Sequence, residues 1–189
     1  MGVAAVLVML LAPAVPAGAQ TRAEGAARNA ALRGAALASF EGRTIDLSKD
    51  WGEAQDCLVW RQGGLLECFR TSEALDAREA QLARRGLGSA PTASTAAYGY
   101  WCSSPLRLYE YNWYSGRRLS FWDRGYWQNL ADYGFDNQTS SYIVGGCQVY
   151  LAEYSDGGGW WYPGPTYPYA GEAAMAWDWQ DTISSIYIG

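Results

Sequence analysis

An internal repeat in the C-terminal half constrains the fold more than any other feature of this chain. Residues 136–145 align with residues 180–189 at a spacing of 44, so that a Ser-Ser pair, an apolar trio and a Gly coincide. Upstream, residues 110–116 align with residues 153–159 at a spacing of 43. Repeats of this length, made of short strands and Gly-rich turns, predict an all-β sandwich of two Greek-key motifs that share one core.

Composition assigns the aromatic and acidic character to the same half. All 14 Tyr and eight of the ten Trp lie at or after Tyr98. From Tyr98 onward, four scattered Arg face nine Asp and Glu, which accounts for the whole net charge of −5. Nucleic-acid binding depends on clustered Lys and Arg that displace counterions from phosphates. The composition therefore argues against a nucleic-acid partner.

The first residues predict export. Residues 3–11 form an uncharged apolar run, and the small residues Ala17 and Ala19 occupy the positions that a signal peptidase reads. The run is shorter than the roughly 20 residues that span a bilayer. We expect a signal peptide over residues 1–19 and a secreted, extracellular protein without a membrane segment; an apolar start retained as an anchor is the alternative.

Four cysteines agree with export, because even numbers of cysteines are normally paired outside the cytosol. Three connectivities are possible. Proximity favours Cys57 with Cys68, since their apolar runs flank residues 61–64, which are typical of a hairpin turn, and it leaves Cys102 for Cys147. Free thiols or a four-cysteine zinc site are the alternatives, although no Cys-x-x-Cys spacing occurs.

The N-terminal half predicts less structure. Residues 20–39 are an Ala-rich arm, and residues 40–86 suggest a short strand, the disulfide-pinned hairpin and a helix. Ser72 is the expected N-cap of this helix, and Gly86 is its expected stop. Residues 87–97 have the composition of a linker to a domain over residues 98–189.

Catalysis is restricted by the absence of His from the chain. Ser-His-Asp and Cys-His activation are excluded, as are zinc sites that need His. A glycosidase with two carboxylates remains chemically possible. Carboxylates on a sandwich surface are usually solvated or bind calcium, so we predict a protein that is not an enzyme.

Two short segments carry a family resemblance. Residues 109–116 (YEYNWYSG) resemble the βγ-crystallin signature, which is an aromatic residue, four others, an aromatic, any residue and Gly. Residues 136–141 (DNQTSS) resemble the calcium motif of microbial βγ-crystallins. With residues 127–135 between them, they are similar to the secreted bacterial metalloproteinase inhibitors built on a single βγ-crystallin domain. The resemblance covers residues 98–189.

Calcium is the metal that suits these residues, because it prefers hard oxygen ligands. The first loop offers Asp136, Asn137, the carbonyl of Gln138 and the hydroxyl of Ser140. In the second loop Gln180 replaces the first acidic or amide residue, while Asp181 and Ser184 persist. The alternative is that these side chains only satisfy backbone groups in turns.

The resemblance also implies that each cation lies between one loop and the first hairpin of the opposite motif. This arrangement would add Glu110 and Glu153 to the ligands. The second hairpin departs from the signature, because Ala152 and Gly157 stand at the positions of Tyr109 and Tyr114.

Residues 160–169 form a Pro-rich aromatic segment that is expected to be a loop. Aromatic residues with polar tips are good anchors for a protein or a sugar. The expected partner-binding residues are Trp160, Trp161, Tyr162, Tyr167 and Tyr169. The alternative is that this loop packs on the weakened second hairpin.

Three functions remain open. The resemblance favours a monomeric binding protein that inhibits an extracellular proteinase and has calcium-binding capacity. A calcium-stabilised structural module without a partner is the second. The third is a protein that binds a cell-wall or cell-surface glycan through the aromatic loop.

Overall fold

The computed structural model describes residues 36–85 and 102–189. The expected signal peptide, the linker and most of the Ala-rich arm lie outside this part. The elements are β1 (Leu37–Phe40), β2 (Arg43–Asp46), β3 (Asp56–Trp60), β4 (Leu65–Phe69), α1 (Ser72–Arg84), β5 (Leu106–Tyr111), β6 (Ser115–Phe121), β7 (Trp127–Asn129), β8 (Ser141–Ile143), β9 (Val149–Ala152), β10 (Gly171–Glu172) and β11 (Ser185–Ile188).

The strand order is that of two interlocked Greek keys. The first repeat supplies β5, β6 and β8 to a large sheet, in which they run in the order β8-β5-β6, and it contributes β7 to a smaller sheet. The second repeat supplies β9 and β11 to the smaller sheet and contributes β10 to the large one. Each repeat thus contributes one strand, β7 or β10, to the sheet of the other, which confirms the predicted two-Greek-key sandwich.

The N-terminal hairpins extend this sandwich. Strand β3 pairs in parallel with β6, with Cys57 opposite Leu119, and the large sheet continues through β4 and β1 to β2. Trp51, in the loop before β3, is buried, and its Nε1 donates to the carbonyl of Tyr133 at 2.7 Å. Strands on both sides of the expected linker therefore belong to one continuous sheet.

The main core lies between the sheets and follows the alternation of the strands. In β5, Leu106 and Leu108 are buried while Arg107 between them is half-buried. Across the sandwich they share a core with Leu151 of β9 and Ile186 of β11, which are fully buried. Burial of apolar side chains at alternate positions provides most of the favourable free energy of such a fold.

Helix α1 covers the opposite face of the large sheet. Its buried Leu75 and Leu82 form a second apolar cluster with Leu58 of β3. Its Glu79 is also buried, where it pairs with Arg107 at 2.6 Å and accepts the hydroxyl hydrogen of Ser120. The helix N-cap is Thr71, whose side chain accepts the N–H of Ala74, and not the expected Ser72.

Both predicted disulfides are present. Cys57 is bonded to Cys68 in the adjacent strand, and Cys102 is bonded to Cys147. Among the described residues, no helix is long and apolar enough to cross a membrane. One boundary needs correction: the expected arm ends earlier than residue 39, because β1 begins at Leu37, where Ala38 and Phe40 are buried against the core.

Candidate functional site

The hairpin between β5 and β6 forms the corner that its signature predicts. Trp113 and Tyr114 have φ angles of 62° and 58°, and Gly116 has a φ of 76°. A Cβ on Gly116 would lie 2.7 Å from the Tyr111 ring, so both the turn and the ring require glycine here. The Tyr109 and Tyr114 rings meet edge to face at 5.5 Å and cover the fold-back.

The second hairpin forms the same turn with different side chains. Asp156, Gly157 and Gly159 have φ angles of 56°, 79° and 71°. A Cβ on Gly157 would lie 2.3 Å from the Trp127 ring, so Trp127 occupies the space above this turn. The missing tyrosine of the second signature is thus replaced by a tryptophan from the other repeat.

The second serine of each loop holds the hairpin of its own repeat. The Ser141 hydroxyl donates to the carbonyl of Tyr111 at 2.6 Å and accepts the N–H of Tyr114 at 3.1 Å. The Ser185 hydroxyl makes the corresponding bonds to Tyr154 at 2.6 Å and Gly157 at 3.0 Å. Both serines are fully buried. These hydrogen bonds couple each loop to its hairpin.

The other residues of the two loops pair across the molecule. The Ser140 hydroxyl donates to the Asp181 carboxylate at 2.8 Å, and the Ser184 hydroxyl donates to the Asn137 side-chain oxygen at 3.3 Å. The backbone repeats the exchange, because the N–H groups of Asn137 and Asp181 donate to the carbonyls of Ile183 and Thr139, both at 3.0 Å. Asn137 and Asp181 each have a φ of 54°.

The remaining predicted ligands of the first loop lie at its surface. Asp136 is exposed and accepts the side-chain N–H of Asn137 at 3.3 Å, while the Gln138 side chain donates to the Asn137 carbonyl at 3.0 Å. Within the described residues there is no group of three or more Cys, Asp or Glu side chains that could hold a metal ion. A cation here would depend largely on neutral oxygens.

The two hairpin glutamates face their own hairpins. Glu110 accepts the backbone N–H of Arg117 at 3.1 Å and the Arg117 guanidinium at 3.0 Å. Glu153 accepts the backbone N–H of Trp160, also seven residues later, at 3.2 Å. Burial raises the pKa of Glu110, but its bonds to Arg117 outweigh this and lower the pKa below its ordinary value. A role for either glutamate as a cation ligand stays a prediction.

In the part of the chain that the structure describes, two buried oxygens near the loops have no hydrogen-bond partner. One is Oγ1 of Thr139, which is fully buried between the loop residues. The other is Oδ1 of Asn112 at the tip of the first hairpin, whose amide nitrogen reaches the Gln180 side chain at 3.5 Å. Buried oxygens without a partner are costly, and a bound cation or water would relieve them. Asn112 was not among the predicted ligands, although its place at the hairpin tip was readable from the signature.

The predicted aromatic loop does not form one surface. Trp160, Tyr167 and Tyr169 are 79%, 61% and 71% exposed. Tyr162 is only 7% exposed, packs edge to face on Tyr142 and hydrogen-bonds Glu172. Tyr162 is thus a core residue, which corrects its predicted role in partner binding.

Trp161 joins a second group of aromatic residues that the sequence did not reveal. Its ring lies 5.7 Å from Trp127 and 5.2 Å from Tyr150, and both of these contact Tyr187. Alternate positions in β9 and β11 give a faint signal for this group, because Tyr150 and Tyr187 stand between buried apolar residues. Their partnership requires the register of three strands.

The strand order and the paired loops define a duplicated Greek-key module with two Asx-Ser loops. Several solved structures resemble part of the chain: a βγ-crystallin from Ciona intestinalis is 19% identical, with a TM-score of 0.37 over 44% of this chain and 98% of that chain. A βγ-crystallin domain from Flavobacterium johnsoniae is 21% identical, with a TM-score of 0.34 over 44% and 92%. A clostrillin double mutant in complex with nickel is 19% identical, with a TM-score of 0.37 over 44% and 95%.

These similarities concern the fold alone and cover 44% of the chain. With identities below 25% and TM-scores below 0.5, the fold assignment rests on the strand order of the chain itself. No family model matches the chain, and no curated protein matches it. The resemblance to metalloproteinase inhibitors stays a prediction.

Proposed function

We propose that this protein is an extracellular, non-catalytic binding module whose two Asx-Ser loops bind calcium. The observation that carries the proposal is the reciprocal contact of the loops, in which Ser140 meets Asp181 and Ser184 meets Asn137. Each contact brings a hydroxyl from one repeat to a carboxylate or amide oxygen from the other. A cation held there would tie the two Greek keys together.

The donor chemistry supports calcium over a transition metal. Asp181, Ser140 and the unpartnered Oδ1 of Asn112 offer hard oxygens, and all four cysteines are in disulfides. Calcium accepts carboxylate, amide, hydroxyl and carbonyl oxygens in flexible geometry. Because few of these oxygens are charged, we expect a Kd on the order of 10⁻⁴ to 10⁻³ M, the range of extracellular modules.

Export and the lack of catalysis are supported by separate observations. Two disulfides are typical of proteins that fold in an oxidising compartment. The chain has no His, so the common nucleophile-activating pairs cannot be built from it.

Calorimetry with the metal-stripped full chain tests the calcium site. At 10 mM calcium, one site with the Kd above stabilises the folded state by about 1.4 to 2.7 kcal/mol. Asp181→Asn keeps the shape and the acceptor for Ser140 but removes the charge, so it should abolish most of the stabilisation. Asp178→Asn removes an exposed carboxylate three residues earlier and should have no effect. An equal calcium response in the wild type and Asp181→Asn would refute the proposal.

Proteinase inhibition is a second candidate, favoured by the tip of the first hairpin. Tyr111 and Trp113 are 58% and 78% exposed, yet their backbone is held by Ser141 and by a bond from the Trp113 N–H to the Ala173 carbonyl. A rigid exposed loop loses little conformational entropy on entering a cleft, which is what a tight inhibitor needs.

A stoichiometric assay against a thermolysin-like metalloproteinase tests this candidate. Trp113→Ala should weaken inhibition at least tenfold, since exposed aromatic anchors commonly carry 2 kcal/mol or more, about thirtyfold in affinity. Trp160→Ala, at a 79% exposed tryptophan beside the second hairpin, is the matched control. Absence of inhibition by the wild type at an excess of the protein would exclude the candidate for that class of enzyme.

A further inference from the structure

The outer face of the small sheet carries a row of aromatic side chains in direct cross-strand register. Tyr187 of β11 stands opposite Trp127 of β7 on one side and opposite Tyr150 of β9 on the other. The ring centroids of these two pairs are 5.6 and 6.1 Å apart. The strand residues that alternate with them, such as Leu151 and Ile186, point into the core. The row is therefore fixed by the sheet and faces outward.

Trp161 completes this row from the neighbouring segment. Its backbone forms a β-bridge with Ala152, the last residue of β9, and its ring contacts both Trp127 and Tyr150. Its indole N–H donates to the Gly157 carbonyl at 2.9 Å, although the side chain is 52% exposed. Its orientation is thus set before any ligand arrives, which reduces the entropy lost on binding.

The three strands that carry the row have no positively charged residue, which argues against a ligand that carries phosphate or other anionic groups. The three strands, with sequences WQN, VYLA and SIYI, contain no charged residue. A surface that binds single-stranded nucleic acid pairs its aromatic side chains with Lys and Arg along the backbone path. The net charge of −5 opposes such a ligand further.

The size of the row decides against a protein as the principal ligand. A buried aromatic side chain covers about 150 to 250 Å². Trp161 and Tyr150 are 52% and 38% exposed, and Trp127 and Tyr187 are half-buried, so the four rings together offer roughly 300 Å² to a ligand. A stable protein interface covers about 800 Å² on each partner. The row matches a ligand of a few rings, each with one apolar face.

We propose that the row formed by Trp127, Tyr150, Trp161 and Tyr187 binds an uncharged polysaccharide. The C–H face of a pyranose ring is apolar and stacks on an indole or phenol ring, while its hydroxyls stay in water or reach polar groups. Asn129, two residues beyond Trp127 on the same face of β7, supplies such a polar group, and its side chain bonds Asp156. This proposal does not depend on calcium binding by the loops.

Sedimentation of the full chain with insoluble cellulose and chitin tests the proposal, with alginate and single-stranded DNA as anionic probes in affinity gels. All measurements are made in EDTA, so that loss of calcium cannot produce the result. Wild type and Trp177→Ala should bind a neutral polysaccharide equally, because Trp177 lies outside the row. Trp161→Ala and Tyr150→Ala should each weaken binding about tenfold, the order expected for the loss of one aromatic contact.

Conservative variants protect the test against misfolding. Tyr150→Phe and Trp161→Phe keep a ring on the sheet and should change binding by less than about threefold. The proposal is overturned if neither cellulose nor chitin retains the protein, if the alanine variants bind as well as the wild type, or if Trp177→Ala loses as much binding. Preferential retention on alginate or DNA would overturn it as well.

Discussion

Replacing the buried Ser141 by Ala should destabilise the fold by removing one hydroxyl that serves two backbone groups. The carbonyl of Tyr111 loses a donor at 2.6 Å, and the N–H of Tyr114 loses an acceptor at 3.1 Å. An unsatisfied buried polar group costs about 1 to 3 kcal/mol. Because the hairpin tip is open to water on one side, we expect a total loss of about 2 to 3 kcal/mol. Ser185→Ala should give a similar loss, since its contacts are the same in the second repeat.

Urea denaturation followed by tryptophan fluorescence, with the disulfides intact and in EDTA, measures the free energy of unfolding of each variant. Ser155→Ala changes an exposed serine in the second hairpin and should stay within about 0.5 kcal/mol of the wild type. A loss below 1 kcal/mol for both buried serines, or a loss confined to one of them, would contradict the view that the serines hold the hairpins equivalently.

Three further changes test other contacts. Trp51→Phe should lower the free energy of unfolding by about 1 to 2 kcal/mol in the same urea titration, because it removes the 2.7 Å bond to the Tyr133 carbonyl. Asp123→Ala should cost about 3 kcal/mol and lower the calorimetric Tm, since this buried carboxylate accepts the N–H groups of Arg61 and Gln62 at 2.8 and 2.9 Å. Glu110→Gln should flatten the low-pH side of a plot of the free energy of unfolding against pH. The pKa of Glu110 is lower in the folded state than its ordinary value, so the ionised carboxylate stabilises the fold above the unfolded pKa. This contribution is lost as the pH falls through the folded pKa. An unchanged low-pH side would contradict this assignment.

The duplicated sandwich was predictable because its signals are local. Gly116 and Gly159, which have positive φ angles, are 43 residues apart in the sequence, and the Ser-Ser pairs of the two loops are 44 residues apart. The place of the N-terminal hairpins was not predictable in this way. Parallel pairing of β3 with β6 depends on which edge of the finished sheet remains open, and no periodicity of either strand encodes that.

The same distinction between local signals and contacts set by the tertiary structure applies to the candidate sites. The loop residues Asp181 and Ser140 could be proposed from their types, and the structure places them 2.8 Å apart. The direction of the Glu110 side chain could not, because it is set by Arg117 on the returning strand. The row around Tyr187 also escaped, since its members come from three strands and a bridge that are adjacent only once the register is known.

The parallel pairing of β3 with β6 also means that this part of the sheet can form only late in synthesis. Residues 56–60 leave the ribosome well before their neighbours at residues 118–121, so an early apolar strand must wait for a late one. Such distant pairings slow folding and leave strand edges exposed to aggregation in the interval. A shortened chain that starts at residue 98 would meet the opposite difficulty, because β6 would then become a permanently open edge with its N–H and C=O groups free to recruit another chain.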